Sequence, residues 1–102
     1  MLVAELTAIG PAHEVVKAIE IDEPGAPGAD EIVVRLSACS INPADLLLIE
    51  GKYANLPEVP SRLGIEGVGT VEAVGAEITH LAPGDVVLSL GRHNWAHKVV
   101  LK

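Results

Sequence analysis

Proline and glycine interrupt this chain so often that a long helix is excluded. Seven prolines and ten glycines lie between short runs of mostly alternating apolar and polar residues. The alternation is clear in Val15–Ile21 and Glu31–Ala38, and a period of two is typical of half-buried strands. Between these runs, Glu23–Gly28 holds two prolines and two glycines, which predicts a hairpin loop.

Short strands can be placed between the turns along the rest of the chain. The six predicted segments are Leu2–Ile9, Val15–Ile21, Glu31–Ala38, Gly64–Gly75, Val86–Leu90 and Trp95–Leu101. Within Leu81–Asp85, the pair Pro83-Gly84 predicts a type II turn. This spacing predicts a mainly β fold, a small partly open barrel with one or two short helices.

One segment has helical character. Asn42 can cap a helix, Pro43 suits its first position, and Asp45 places a negative charge in the first turn. The run continues to Glu50 and ends at Gly51. A helix of about two turns is marginal alone, so packing must hold it.

Size and charge exclude several classes of protein. The 102 residues form one domain at most and carry a net charge of −7, a poor surface for nucleic-acid phosphates. The single cysteine, Cys39, excludes an internal disulfide and a cysteine-rich zinc site. No apolar run reaches the roughly 18 residues that span a membrane, and we see no signal or transit peptide. We expect a cytoplasmic protein, or a mitochondrial one in a eukaryote.

Five groups of residues, in this order and at compatible spacing, form a specific pattern. They are Val34-Arg35 with Asn42-Pro43-Ala44-Asp45, then Gly51-Lys52-Tyr53, then Pro60 with Gly64-Ile65-Glu66-Gly67-Val68-Gly69, then Val71 with Val74-Gly75, and Pro83-Gly84-Asp85-Val86-Val87. The pattern covers nearly the whole chain and resembles the N-terminal GroES-like catalytic domain of the medium-chain dehydrogenase/reductase superfamily. The resemblance implies a GroES-like, partly open β-barrel and an oxidoreductase that uses NADPH.

The resemblance also implies a zinc-independent member. Zinc alcohol dehydrogenases of this superfamily carry a cysteine ligand where Asn42 stands, and Gly-His-Glu where this chain has Gly64-Ile65-Glu66. Cys39 lies three positions before the ligand slot, and Glu66 alone cannot supply the three protein ligands of a catalytic zinc. We therefore expect no metal site.

Two zinc-independent branches remain open, the 2-enoyl-thioester reductases and the quinone oxidoreductases. Leu56-Pro57-Glu58-Val59-Pro60 and Asn94-Trp95-Ala96 resemble the reductase branch, which favours a trans-2-enoyl thioester as the substrate. That branch usually has asparagine where Ile65 stands, which is a departure from its pattern.

Tyr53 is the only tyrosine and lies in a loop after the predicted helix. A tyrosine stays protonated at neutral pH and can donate a proton or a hydrogen bond. By resemblance it matches the active-site tyrosine of the family, which makes it the candidate catalytic residue; the alternative is a surface tyrosine at the edge of the core.

Asn42 and Trp95 are candidates for residues near the substrate or cofactor. By resemblance Asn42 lies on the nicotinamide side of the cleft, although capping the helix is a sufficient alternative. Trp95 either lines an acyl pocket or fills the core. Glu66 stands in an apolar, glycine-flanked stretch, so we expect its charge to be paired or hydrogen-bonded. Asp45 is interpreted as a first-turn charge rather than a catalytic acid.

Two further patterns carry less weight. His93 and His97 are four residues apart, but on a predicted turn and strand they do not form a helical ligand pair. The run Gly64–Gly69 suggests a dinucleotide loop, yet the fingerprint would need a glycine where Glu72 stands. We interpret these glycines as sites of close backbone packing or bulges in a strand.

The superfamily's nucleotide-binding Rossmann domain is not expected in residues 1–102. The resemblance therefore implies a catalytic-domain portion that is inactive alone, whose cleft face is apolar and prone to self-association. The alternative from another class is a non-enzymatic GroES-like co-chaperonin or binding module. Against it, Glu23–Asp30 is short for a mobile partner-binding loop and lacks an apolar triplet.

Overall fold

A computed structural model describes residues 1–53 and 56–102. In these ranges the elements are β1 (Leu2–Leu6), α1 (Ala12–Val15), β2 (Val16–Glu20), β3 (Ile32–Cys39), α2 (Pro43–Ile49), β4 (Ser61–Arg62), β5 (Glu66–Val74), β6 (Val86–Leu90) and β7 (Lys98–Leu101). The prediction of a mainly β fold with one or two short helices is confirmed. The first and last predicted strands are longer than the observed β1 and β7.

Two antiparallel sheets make up the fold, and they are not closed into a barrel. One sheet has the order β2-β1-β4, and the other has the order β6-β5-β3-β7. The hairpin predicted at Glu23–Gly28 is wrong, because β2 and β3 belong to different sheets. Strand β3 already pairs with β5 on one side and β7 on the other, so the segment before it carries the chain between the sheets.

Each sheet has its own apolar cluster. The first contains Leu6 and Leu63 together with side chains from both helices, Val15, Leu48 and Ile49. The second lies within the larger sheet and consists of the buried residues Ile32, Val34, Val71 and Val99. Leu48 and Ile49 anchor α2 on the smaller sheet, so packing holds this two-turn helix as expected.

The glycine-rich run forms strand β5, as the sequence predicts, and not a dinucleotide loop. A Cβ atom at Gly69 would clash with the backbone carbonyl of Arg35 on the neighbouring strand. The pairing of β3 and β5 is irregular between Leu36 and Ala38, directly opposite this glycine. The predicted turn is also confirmed, since Gly84 has φ +99° and Asp85 N donates to Ala82 O at 3.1 Å.

Candidate active site

The start of α2 fixes the first candidate residue. Asn42 is the N-cap residue and forms a capping box with Asp45, whose Oδ2 accepts the backbone N–H of Asn42 at 2.8 Å. Asp45 is completely buried, and its carboxylate stabilises the start of the helix through this hydrogen bond. The first-turn role predicted for Asp45 and the capping position predicted for Asn42 both hold.

The side-chain amide of Asn42 enters a polar network with Ser40 and Glu66. Its Nδ2 donates to Ser40 Oγ at 2.9 Å and to Glu66 Oε1 at 3.2 Å, and Ser40 Oγ donates to the same carboxylate oxygen at 3.0 Å. The register of β3 and β5 brings the three together, because Cys39 lies opposite Gly67. The expectation that the Glu66 carboxylate is hydrogen-bonded is confirmed.

Trp95 contacts this network through the backbone of Ser40. Its Nε1 donates to the backbone carbonyl of Ser40 at 3.0 Å, and its ring packs on the apolar cluster around α2. The backbone of Trp95 accepts a hydrogen bond from Ala4 in the central strand β1 and donates one to Leu63, directly after β4, which ties it to the smaller sheet. Trp95 thus packs against the core while remaining partly exposed, and it supports the loop that carries Ser40.

An open groove of about 390 Å³ begins at the network and runs over the outer face of the larger sheet. Its walls are mostly apolar, and Glu66 and Ser40 form its polar end. The lining residues are Ala38, Cys39, Ser40, Glu66, Gly67, Val68, Leu88 and Leu90. Leu88 and Leu90 are 75% and 69% exposed, so the groove can accept an apolar group from outside.

Tyr53 lies away from this network, on the loop that follows α2. Its side chain is 46% exposed, and it is not among the residues that line the groove. The seven residues of α2, a length of about 10 Å, separate it in the chain from Asn42. The structure therefore brings Asn42 and Trp95 together through Ser40, and leaves Tyr53 at the other end of the helix.

His93 lies beside Arg62, in the turn between β6 and β7. Arg62 Nη2 donates to the backbone carbonyl of His93 at 3.0 Å, and burial together with the positive charge of Arg62 lowers the pKa of His93. Burial also lowers the pKa of Arg62.

Within residues 1–53 and 56–102, no group of three or more histidine, cysteine, aspartate or glutamate side chains could hold a metal ion. No helix in those ranges is long and apolar enough to cross a membrane.

Two polar residues important for this region were missed from the sequence. Ser40 links the candidates, and the buried Asn94 donates from Nδ2 to the carbonyls of Ser89 and Gly91 at 3.0 and 2.9 Å. Asn94 thereby fixes the turn that leads to Trp95. The sequence presents Asn94 only within the motif Asn94-Trp95-Ala96, and because asparagines in turns are mostly exposed, nothing in that motif indicates a buried side chain.

Comparisons with known proteins identify the relatives of this chain. The human synaptic vesicle membrane protein VAT-1 homolog is 40% identical over 79 residues, which are 76% of this chain and 20% of that protein. The human mitochondrial enoyl-[acyl-carrier-protein] reductase is 38% identical over 93 residues, 89% of this chain and 25% of that protein. The chain therefore matches a quarter or less of the length of these relatives.

A solved structure agrees with the sequence relatives. The crystal structure of Escherichia coli quinone oxidoreductase complexed with NADPH gives a TM-score of 0.83 at 31% identity, covering 99% of this chain and 31% of that one. Residues 28–98 match the family model described as the alcohol dehydrogenase GroES-like domain. These residues include the Ser40–Asn42–Glu66 network and the groove, and the chain therefore belongs to this GroES-like family within the medium-chain dehydrogenase/reductase superfamily.

Proposed function

We propose that this chain is the substrate-binding and catalytic portion of a zinc-independent, NADPH-dependent oxidoreductase that reduces the C=C bond of a trans-2-enoyl thioester. The observation that carries the proposal is the polar network of Asn42, Ser40 and Glu66 at the end of an apolar groove. The acyl chain of an enoyl thioester matches the apolar walls of this groove. The enoyl reductases among the relatives support this substrate class.

Tyr53 is the proposed catalytic residue. Reduction of an enoyl thioester adds a hydride at Cβ and a proton at Cα, and negative charge develops on the thioester oxygen. A protonated tyrosine can donate the proton or stabilise that oxygen. Tyr53 is half exposed on its loop and does not line the groove, so this assignment is supported by the resemblance of Gly51-Lys52-Tyr53 to the family motif.

We assign no part of the hydride transfer to residues of this chain. The glycine-rich run is strand β5, so within the described ranges it offers no turn at a helix N-terminus for the cofactor's phosphates. We propose that a nucleotide-binding domain outside residues 1–102 holds most of the NADPH. The NADPH complex of the related quinone oxidoreductase supports the choice of cofactor.

We also propose that the site works without zinc. In the zinc enzymes a cysteine ligand stands where this chain has Asn42. Here the amide of Asn42 donates its Nδ2–H groups to Ser40 and Glu66. An amide nitrogen that donates has no lone pair to offer an ion.

Two alternatives belong to the same proposal. Reduction of a quinone is the second candidate, supported by the quinone oxidoreductases among the structural relatives. A non-enzymatic GroES-like module is the third, since the fold alone does not decide activity.

We propose a cytoplasmic location, and the mitochondrial reductases among the relatives support a mitochondrial one in a eukaryote.

The test begins with the reading frame beyond the Lys102 codon, so that the complete gene product can be purified. We expect that protein to oxidise NADPH when a short trans-2-enoyl thioester is added, more rapidly than with a quinone. Tyr53→Phe should lower the turnover number at least tenfold, because it removes the hydroxyl and keeps the ring. The measurement is the loss of absorbance of the reduced nicotinamide.

Controls separate the parts of this proposal. Unchanged turnover of Tyr53→Phe with an intact fold would contradict the role of Tyr53 alone. A chelator should leave activity unchanged, and a loss would overturn the zinc-independent site. Activity with quinones only would move the assignment to the second candidate. No activity with either substrate would favour the non-enzymatic module.

A further inference from the structure

We propose that Ser40 is a positioning residue, which holds the Asn42 amide and the Glu66 carboxylate in one fixed arrangement at the polar end of the groove. Ser40 follows directly after β3 and precedes Asn42 by two residues. Its hydroxyl accepts from Asn42 Nδ2 at 2.9 Å and donates to Glu66 Oε1 at 3.0 Å. No other side chain in the network both accepts and donates within it.

The backbone of Ser40 is held independently of its hydroxyl. Trp95 Nε1 donates to the Ser40 carbonyl at 3.0 Å, and the Ser40 N–H donates to the backbone carbonyl of Glu66 at 3.4 Å. These two bonds fix the point from which Oγ reaches its partners. Replacing the hydroxyl with hydrogen therefore removes the side-chain links and keeps the loop in place.

The Ser40 hydroxyl makes this a three-residue network instead of a single hydrogen bond between Asn42 and Glu66. Without it, Asn42 and Glu66 retain one mutual hydrogen bond of 3.2 Å, the longest of the three. Both side chains can then rotate, because Asn42 is only partly buried and Glu66 is exposed. A serine hydroxyl can satisfy one donor and one acceptor at the same time, whereas alanine can satisfy neither.

The network lies at the end of the groove, where a bound substrate would contact it. Ser40 and Glu66 line the groove whose remaining walls include Val68, Leu88 and Leu90. A substrate whose apolar part lies on these walls meets its first polar groups at Glu66 and Ser40. This inference rests on the proposed function, since it assigns Ser40 to the geometry of that same site. Ser40 itself is expected to act through Asn42 and Glu66.

The first experiment needs no activity. Heteronuclear NMR spectra of the 102-residue protein report the side-chain amide of Asn42 directly. We expect Ser40→Ala to shift these resonances and to speed their exchange with water about tenfold, and Ser40→Thr to restore both. Ser37→Ala, on the exposed part of the same strand, is the matched control and should leave them unchanged. Identical Asn42 resonances in wild type and Ser40→Ala would overturn the proposal.

The second experiment measures catalysis by the complete gene product. We expect Ser40→Ala to lower kcat/KM about tenfold, mainly through kcat, and Ser40→Thr to recover it to within about twofold. Equal kinetics of Ser40→Ala and wild type would overturn the positioning role. So would a Thr variant as impaired as Ala while both are folded by circular dichroism. If the wild-type protein lacks activity, the proposed function fails, and the NMR comparison still decides whether Ser40 orders the network.

Discussion

At the residue scale, the surroundings of His93 predict that the stability of the fold depends on pH. Its Nε2 is buried and, in the part of the chain that the structure describes, has no hydrogen-bond partner. Arg62 lies beside it and donates to its backbone carbonyl. Burial first, and the positive charge of Arg62 second, lower the pKa of His93, so the folded state favours the neutral imidazole.

The lowered pKa of His93 predicts the direction of a pH effect on stability. The unfolded chain protonates His93 at about pH 6.5, whereas the folded chain does so only at lower pH. The stabilisation from neutral His93 is therefore complete above about pH 6.5 and is lost as the pH falls towards the folded pKa. We expect His93→Gln to reduce this pH dependence in urea unfolding experiments. Equal slopes for wild type and variant below about pH 6.5 would contradict the prediction.

Some residues of the site could be predicted from the sequence, and their partners could not. The cap position of Asn42 follows from its helix-start motif, whereas the roles of Asn42 and Trp95 near a substrate or cofactor follow from the resemblance and stay predictions. Ser40 was missed because its meaning depends on Glu66, 26 residues later in the chain. Only the register between β3 and β5 brings the two side chains together, and a pattern of alternation does not fix register across separate segments.

At the scale of elements, the capping box fixes the start of α2 and therefore the position of Asn42 in the polar network. Asp45→Ala removes the acceptor for the Asn42 N–H, and we expect it to lower the free energy of unfolding by about 1–2 kcal/mol. Glu50→Ala is the control at the other end of the helix, because Glu50 is the C-cap residue, forms an ion pair with Lys52 at the surface and should change stability by less than about 1 kcal/mol. Urea unfolding measures both. Equal losses for the two variants would contradict the capping role.

The longer elements could be predicted from the sequence, and the shortest ones could not. Strands β3, β5 and β6 and helix α2 combine a clear period with caps or turns at their ends. Helix α1 has four residues and strand β4 has two, so each contains only about one period, and a periodic pattern cannot be recognised without a repeat. The hairpin at Glu23–Gly28 failed for a different reason, since prolines and glycines mark a break without showing which strand pairs next.

At the scale of the whole molecule, the larger sheet leaves an apolar face open. Val86, Leu88 and Leu90 of β6 alternate with more buried residues and are 73%, 75% and 69% exposed. Strand β6 ends the order of its sheet and pairs with β5 alone among the described strands. We propose that this face of β6 is the apolar cleft face that the resemblance implies. Its association with another surface remains a prediction.

Self-association through this face can be tested on the 102-residue protein. We expect sedimentation mass to rise with concentration, and Leu88→Gln to weaken association about tenfold or more, because an exposed leucine gains stabilisation when it is buried. Leu56→Gln is the control, since Leu56 is 71% exposed on a loop outside β6. Equal weakening by both variants, or a monomer at every concentration, would contradict association through β6. A ring-sized assembly would favour the co-chaperonin alternative, because a closed ring needs two different complementary surfaces, whereas a single repeated face gives a dimer.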